Sequence, residues 1–585
     1  MNFLSRMLID LWQALLSWYY SWRYGPVARR LETPPHGARK GFIVVQIDGL
    51  GHDSLLDAIT KGYAPYIGSL LRSGQTEALR WFTGLPSTTP YVQAGIMFGS
   101  TYDISGFRWY DKAKETAIVC KYPGVMSHLQ AQVSSGRRGI LEGGASYANM
   151  FDGGASISLF TLSAFGRTSL IEKVGGLGLF LVLLFSPIRV LRIIVLSAWT
   201  YLSGLWRQVS AVFWPNKFGR LGFFAPFFHV LTDVVVREIE TFAALVDIYR
   251  GVPAIYVTYT SYDEWAHRFG PSDKYAYRAV KAIDRQVQQI DRMRRHGTKG
   301  EYDLFLLSDH GIARCVSFET IFGSSLGQVI SAGVVQPVMT DETQSGTRAA
   351  RAAHSLLGDE VAVAERQLFG LSSEAARSIK RALDDMADVE PIELAKRSDI
   401  IVRNSGPLSH IYFNVSPDPM DAGEIESAYP GLMHRLAHHP GIGVVAVRTA
   451  AEPLLLTCKG AFPCREAAGE EIFAGLPDAP RIARSLAKLL SFPHSGDLVL
   501  LGKWGLWGVR DLLVSFERQR GTHGGVGGEQ CYPFFLALAE EQPDVTSIDG
   551  PEALYRFFMS YSEVEAPLEQ EREAWRMHAG GQQTE

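Results

Sequence analysis

The sequence predicts an α/β fold: a largely parallel central sheet flanked by helices, with a membrane-associated helical insertion and an α+β cap. Three runs carry the prediction, Gly41–Ile47 (GFIVVQI), Ala254–Thr260 (AIYVTYT) and Tyr302–Leu307 (YDLFLL). Each is short, almost continuously apolar and rich in β-branched or aromatic residues. Strands of that kind lie in sheets covered on both faces, usually parallel ones. Each run also stops abruptly at Asp or other polar residues. In parallel sheets that position, the carboxyl end of a strand, is where sites are built.

Bulk composition narrows the function little. A chain of 585 residues has room for several domains or for one large domain with insertions. Its 57 basic residues stand against 61 acidic ones, so no nucleic-acid-binding surface is expected. Of the Cys residues, Cys120, Cys315 and Cys531 are scattered and fit small core positions. Cys458 and Cys464 flank a short Gly/Pro loop, and spacing alone leaves their pairing open.

The elements follow in chain order. Residues 1–40 form an N-terminal amphipathic interfacial helix and linker. Leu4, Leu8, Leu11, Leu15, Trp18 and Trp22 recur at helical spacing, and Trp12, Tyr19, Tyr20 and Tyr24 add rings suited to a headgroup region. No small-residue cleavage site follows, which argues against a cleaved signal peptide. Residues 41–152 are the first part of the catalytic α/β domain. Residues 153–230 are an apolar helical insertion, entered through the Gly- and Ser-rich stretch Gly153–Gly175. Within it, Val174–Ile188 and Ile193–Trp206 carry the apolar stretches, separated by a segment holding Arg189 and Arg192. Each is about 22 Å long as helix, short of a bilayer core of about 30 Å. A kinked or hairpin pair of helices dipping into one leaflet is therefore expected rather than a span. Residues 231–315 are the second part of the catalytic domain. Residues 316–500 are an accessory cap, helical over Ala349–Ser398 and with strands over Val402–Phe413 and Gly441–Val447. Residues 501–562 complete the catalytic domain, and 563–585 form a polar, disordered tail.

The chemistry sits at the strand ends. Ile47-Asp48-Gly49, Asp263-Glu264-Trp265-Ala266-His267 and Ser308-Asp309-His310-Gly311 each follow a predicted strand. Gly521-Thr522-His523, in a Gly-rich stretch, adds one more imidazole. Asp48, Asp263, Asp309, His267, His310 and His523 are enough donors for two metal ions, and paired metals stabilise oxyanions at phosphorus. Asp263 and His267 are four residues apart, so on a helix they share a face and chelate one ion. Asp309 and His310 are adjacent and face one ion only at a bend, which Gly311 permits. Mixed oxygen and imidazole donors suit zinc, with manganese as runner-up.

A nucleophile candidate lies in Pro86-Ser87-Thr88-Thr89-Pro90. Pro90 fits the first helical position and Thr89 the N-cap. That placement puts the Thr89 hydroxyl at the positive end of a helix, where phosphate is also favoured. Ser87 and Thr88 compete for the role, and a plain capping function stays open for Thr89.

These strings resemble the alkaline phosphatase superfamily, most closely its type I phosphodiesterase/nucleotide pyrophosphatase branch, over roughly Lys40–Met150 and Phe228–Leu538. The resemblance implies an alkaline phosphatase-like fold and two zinc ions. One ion would be held by Asp48, Thr89, Asp309 and His310, the other by Asp263, His267 and His523. It also implies Thr89 as a nucleophile that passes through a covalent phosphothreonine. The chain departs from the family pattern in one place. Where nucleotide pyrophosphatases carry an Asn that donates to the phosphoryl oxygen, this sequence reads Ser105–Asp111 without one. Arg108 either replaces it as a charged donor or is a surface or salt-bridged Arg. The C/S-x-P-x-R setting of a sulfatase is absent.

The expected function is a metal-dependent phosphoester hydrolase, a phosphodiesterase in preference to a phosphomonoesterase, acting at a membrane surface, with lipid-linked phosphoesters among the expected substrates. The alternatives are a phosphoryl or phosphoalcohol transferase on lipid head groups and a non-catalytic membrane scaffold. Asn404 and His410 of the cap are candidates for approaching the substrate, with a structural role as the alternative.

Overall fold

The computed structural model describes residues 18–25, 40–164, 187–213, 225–296, 301–334, 338–342, 398–539 and 548–563. The apolar positions from Leu4 to Leu15, the segments 165–186 and 214–224, the helical stretch expected over 349–397 and the polar tail lie outside them.

The chain begins its core with β1 (Gly41–Ile47) and α1 (His52–Thr60), then β2 (Leu79–Arg80) and α2 (Thr89–Phe98). A hairpin of β3 (Arg108–Asp111) and β4 (Thr116–Val119) precedes β5 (Ala145–Tyr147) and β6 (Ile157–Leu159). Then come α3 (Pro187–Phe213), α4 (Ala225–Val230), a π-helical turn over Leu231–Val236, α5 (Arg237–Arg250) and β7 (Ala254–Tyr259). The helices α6 (Ser261–Phe269) and α7 (Lys274–His296) lead to β8 (Tyr302–Leu307) and β9 (Ala313–Ser317).

The central sheet has the order β2-β19-β8-β1-β7-β5-β6, with β19 spanning Phe534–Leu538. From β8 to β6 the strands are parallel. At the other edge β19 runs antiparallel to β8, and β2 antiparallel to β19. The sheet is thus mixed rather than largely parallel throughout. Its antiparallel edge comes from a late strand and a two-residue strand, neither of which carries a strong period of its own. The three strands foreseen from apolar runs are adjacent, β8-β1-β7, with in-step registers such as Val44 opposite both Tyr256 and Phe305. Side chains alternate between two cores: Phe42 and Val44 pack on one face, Ile43, Val45 and Ile47 on the other. Burial on both faces is why β1 reads as an unbroken apolar run.

A second sheet, β10-β11-β12-β16-β13-β14-β15, lies in the cap region. Its strands are β10 (Thr340–Glu342), β11 (Ile400–Ser405), β12 (Leu408–Phe413), β13 (Ile442–Val447), β14 (Leu454–Thr457), β15 (Gly460–Pro463) and β16 (Leu498–Gly502). Apart from the parallel pair β10–β11 it is antiparallel. A small sheet of β9, β17 (Leu512–Ser515) and β18 (Gly521–Thr522) carries the chain into the late Gly-rich loop. The sheet strands cross two expected boundaries. β6 falls inside the stretch assigned to the insertion, and β16 runs across residue 500.

The insertion differs from expectation where it is described. α3 runs without a break from Pro187 through Arg189 and Arg192 to Phe213, across the point where the two apolar pieces were expected to part. The two arginines that argued against a membrane span turn inward. Arg189 Nη1 bonds the Glu238 side chain and backbone carbonyl at 3.2 and 3.1 Å, and Arg192 reaches Glu238 at 3.1 Å. Glu238 also accepts from Gln286 at 2.8 Å. The helix over residues 18–25 docks beside this joint. Tyr20 and Tyr24 are buried, with Tyr24 5.7 Å from Phe242 between ring centres, while Trp18 and Trp22 face outward. Among the described residues, no helix is long and apolar enough to cross a membrane.

Cys458 and Cys464 are separate thiols, the first exposed and the second donating to the Ala483 carbonyl at 3.4 Å. Cys120, Cys315 and Cys531 are buried, as expected.

Glu238 is the charged hub that fixes α3 to the body. Replacing it (Glu238→Ala) leaves the buried Arg189 guanidinium without a carboxylate, holding the residue-238 carbonyl and Gln289. A loss of about 3–5 kcal/mol in unfolding free energy is expected, read as a lowered denaturant midpoint.

Candidate metal centre

Six donors converge at the carboxyl ends of β1, β7 and β8. Asp48 follows β1 directly. Gly49 then turns with φ 73°, a left-handed value, and sends its N–H to Asp309 Oδ1 at 3.2 Å. A Cβ at Gly49 would lie 2.9 Å from Asp263 Oδ1, so glycine is required twice over, by backbone and by space. Asp263 and His267 sit one turn apart on α6, with Asp263 Oδ1 and His267 Nε2 3.2 Å apart. Asp309 and His310 follow β8 and are fully buried. Gly311 is needed for a different reason from the one expected. Its φ is not left-handed; a Cβ there would strike the Glu529 carbonyl at 2.1 Å.

Each imidazole is tethered in the same way. His310 Nδ1 lies 3.1 Å from the Gly311 carbonyl, His523 Nδ1 2.9 Å from that of Ser87, and His267 Nδ1 2.8 Å from that of Gly521. Carbonyl oxygens only accept, so all three Nδ1 atoms are donors and each Nε2 presents a lone pair. Those Nε2 atoms point into one region. His310 Nε2 is 3.5 Å from both Asp48 Oδ1 and Asp309 Oδ2, and His523 Nε2 is 3.8 Å from Asp263 Oδ1. Two donor groups result, Asp48/Asp309/His310 and Asp263/His310/His523, each with its ligand atoms within 4.8 Å of one another. His267 joins the second through Asp263. The sequence pairing put His310 with the first group alone. Its ring stacks on His523 with centres 3.8 Å apart, which brings it within reach of both.

The donor set fits divalent cations. Asp263 Oδ1, His267 Nε2 and Asp309 Oδ2 are buried and make no hydrogen bond, a costly condition without an ion. Burial, then the nearby Asp309 and Asp263 carboxylates, pushes Asp48 well above the usual carboxylate range. Asp263 goes the other way when no ion is bound and the rings are protonated: burial raises it, but the charges of His267, His523 and His310 outweigh that and leave it lowered.

Thr89 meets the first group. Its Oγ1 is 3.4 Å from Asp48 Oδ1 and 3.2 Å from His310 Nε2. The N-cap of α2 is Thr88, not Thr89, so Thr89 is the first helical residue and Pro90 the second. That shift by one aims the Thr89 hydroxyl at the site instead of at its own helix. Of the three competing hydroxyls, Ser87 and Thr88 are 0% exposed, while Thr89 is 8% exposed and lines a cavity. Ser87 instead ties down the late loop: it accepts from Gly524 N at 3.1 Å and donates to the Gly525 carbonyl at 3.2 Å. One turn on from Thr89, Gln93 Nε2 donates to Gln46 of β1 at 3.1 Å and Thr258 of β7 at 3.2 Å. These bonds clamp the start of α2 over the strand ends.

The cavity holds about 150 Å³ and is walled by Phe107, Met150, Phe160 and Leu162, with Lys121 and Asn149 among its polar residues. Sequence reading missed Lys121 and Asn149, since neither lies in a recognisable string. Asn149 spends its amide donors on Ser146 and the Tyr256 carbonyl, at 2.8 and 3.2 Å. Arg108 also borders the cavity, but its guanidinium is paired with buried Glu517 and donates to the Asn404 carbonyl at 3.2 Å. Of the expectations for Arg108, the salt bridge is the one observed, and the side chain is buried rather than at the surface. The cap residues do not reach the cavity. His410 donates from Nε2 to Ser105 at 2.8 Å and accepts Gly496 N–H at Nδ1, and burial lowers its pKa to about 4. The Asn404 side chain bonds Glu342 and Ser409.

Residues 198–375 match a family model described as type I phosphodiesterase / nucleotide pyrophosphatase, so the resemblance read from the motifs is borne out over that segment. The matched segment contains Asp263, His267, Asp309 and His310. No curated protein matches the chain. Similar solved structures include phosphonoacetate hydrolase from Sinorhizobium meliloti 1021, in complex with phosphonoformate. It is 16% identical, with 90% of this chain and 96% of that one covered and a TM-score of 0.43. Murine ectonucleotide pyrophosphatase / phosphodiesterase 5 is 11% identical, covering 89% and 94%, with a TM-score of 0.41. The alkaline phosphatase PafA is 12% identical, covering 86% and 91%, with a TM-score of 0.43.

Glu529 stitches the late loop to α1, accepting from Asp53 N at 3.0 Å and Ser54 N at 3.1 Å. Burial, with the Asp53 charge adding to it, pushes its carboxyl from 4.5 up to about 7 against the hydrogen bonds from Ser54. Asp53, Tyr262 and Tyr277 are the titratable groups facing it. In the window between those two values the unfolded chain releases this proton and the folded chain keeps it, so stability falls as pH rises through it. Glu529→Gln is expected to flatten that part of the profile, measured as denaturant midpoint against pH.

Proposed function

We propose that the protein is a phosphoester hydrolase, a phosphodiesterase by preference, with Thr89 as nucleophile. One observation carries the reading: the Thr89 hydroxyl opens into a cavity at the point where Asp48 and His310 meet. Zinc, when bound by Asp48, Asp309 and His310 and by Asp263, His267 and His523, would supply the positive charge that holds a hydroxyl or water ionised at neutral pH. Manganese is the second choice.

The chain's own groups do the rest. The amino end of α2 gives the phosphoryl oxygens a favourable field. Asp48 Oδ1 accepts from the Thr89 hydroxyl and orients it toward phosphorus. Thr89 Oγ1 attacks in line, a bond from Oγ1 to phosphorus forms, and the bond from phosphorus to the leaving alcohol breaks. Water then cleaves the phosphothreonine and restores Thr89. Lys121 takes the part of charged donor that Arg108 cannot play while paired with Glu517. The apolar walls formed by Phe107, Met150, Phe160 and Leu162 favour a diester, because they offer an organic substituent on phosphorus a place to rest.

The reading extends to a membrane surface. Along α3, Leu191, Ile194, Val195, Trp199, Leu202 and Trp206 form one exposed stripe at helical spacing, with both tryptophans 72% exposed. The helix has no acidic residue. Trp18 and Trp22 add a second exposed, stacked pair, with ring centres 6.4 Å apart. An aromatic, acid-free face of this kind suits a helix lying in the plane of an anionic lipid interface. It also favours a lipid-linked phosphoester as substrate.

Two outcomes are expected. Thr89→Ala should lower turnover of an aryl phosphodiester by roughly 10³-fold or more with metal content unchanged; full turnover in that variant would sink the assignment. Trp199→Ser combined with Trp206→Ser should weaken flotation with anionic vesicles at least tenfold, while hydrolysis of a soluble diester stays as in the wild type.

A further inference from the structure

His267 has two acceptors at Nδ1. Beside the Gly521 carbonyl, Gln519 Oε1 lies 3.0 Å away. The other end of that amide, Gln519 Nε2, donates to Glu517 Oε2 at 2.5 Å. The remaining Glu517 oxygen is paired with Arg108 Nη1, in an ion pair whose side chains are 3% and 2% exposed. Four side chains thus form a line from the border of the cavity to the imidazole: Arg108, Glu517, Gln519, His267.

The line has a direction. A carboxylate only accepts, so Gln519 must turn its nitrogen to Glu517 and its oxygen to His267. An oxygen there requires a proton on Nδ1, the same demand that the Gly521 carbonyl makes. The Nε2 lone pair is then left facing Asp263 Oδ1 at 3.2 Å. Gly521 comes close enough to take part because it has no side chain; a Cβ there would lie 2.4 Å from the Ala266 carbonyl.

We propose that Arg108, Glu517 and Gln519 are positioning residues for the second metal ion, acting through His267. The proposal rests on the two-ion reading above. Outer partners of this kind fix the ring's orientation and tautomer, and losing one typically costs 10–100-fold in metal affinity. It also gives Arg108 a purpose away from the substrate: its guanidinium holds the Glu517 carboxylate in place.

Glu517 is buried, so replacing it endangers the fold. Gln519 is partly exposed on the wall of an open groove, and Gln519→Leu carries the test. Full-length protein is stripped of metal and titrated with zinc against a chromophoric chelator. The wild type is expected to take up two ions. The variant is expected to hold one of them about tenfold more weakly and the other unchanged, with an unaltered melting temperature for the two metal-free proteins. Two ions bound as in the wild type, or both weakened equally, would overturn the relay. A wild-type chain that takes up no divalent ion would overturn the two-ion reading itself, and the relay with it.

Discussion

Burying like charges close together is expensive, and the strand ends of this protein do it deliberately. Asp48, Asp309 and Asp263 crowd into one region with three imidazoles whose outer nitrogens are all tied to backbone carbonyls. Those tethers cost the chain freedom and leave the inner nitrogens with lone pairs and nothing to donate. Much of the nearby structure serves that arrangement. The left-handed turn at Gly49, the close approach at Gly311 and the clamp from Gln93 to β1 and β7 hold donors that would otherwise repel or drift.

The peripheral helices are joined to this centre by specific contacts. Asp233, in the π-helical turn, accepts from the indole of Trp265 at 2.8 Å, and His229 stacks on the same ring with centres 4.4 Å apart. Trp265 lies between Asp263 and His267 on α6. A π-turn inserts an extra residue into a helix and tends to occur where function demands an awkward alignment. Here it aligns the segment leading from α3 with the helix that supplies two of the six donors. The outward stripe of α3 and the inward donors of α6 are therefore two ends of one packed unit, with Glu238 holding α3 to it.

The strands at the heart of the sheet were legible because burial on both faces leaves an unmistakable run; β1 and β8 span the residues that their apolar runs mark out, and β7 stops one residue short. The donors were legible because each follows such a run. What stayed hidden depends on distance along the chain. β19 is an ordinary apolar strand, and nothing local says that it pairs antiparallel with β8. Lys121 reaches the cavity from the end of a hairpin with no motif around it. The direction of Arg108 was undecidable because its partner lies 409 residues away. The inward turn of Arg189 and Arg192 was hidden likewise, since periodicity shows that a face is apolar and not what a charge on it will find.

The position of His523 has a consequence for how the molecule comes into being. Five of the six donors lie within the first 310 residues, yet the sixth arrives with the late loop, 436 residues beyond its own anchor at Ser87. The strand that closes the sheet against β8 follows it. Such distant partners raise contact order and slow folding, because a long loop must close before any contact rewards it. A nascent chain that has not yet reached His523 would present Asp48, Asp263 and Asp309 with an open sheet edge beside them. The centre is therefore completed only when the late loop closes on Ser87, after β1, β5, β6, β7 and β8 have all been made.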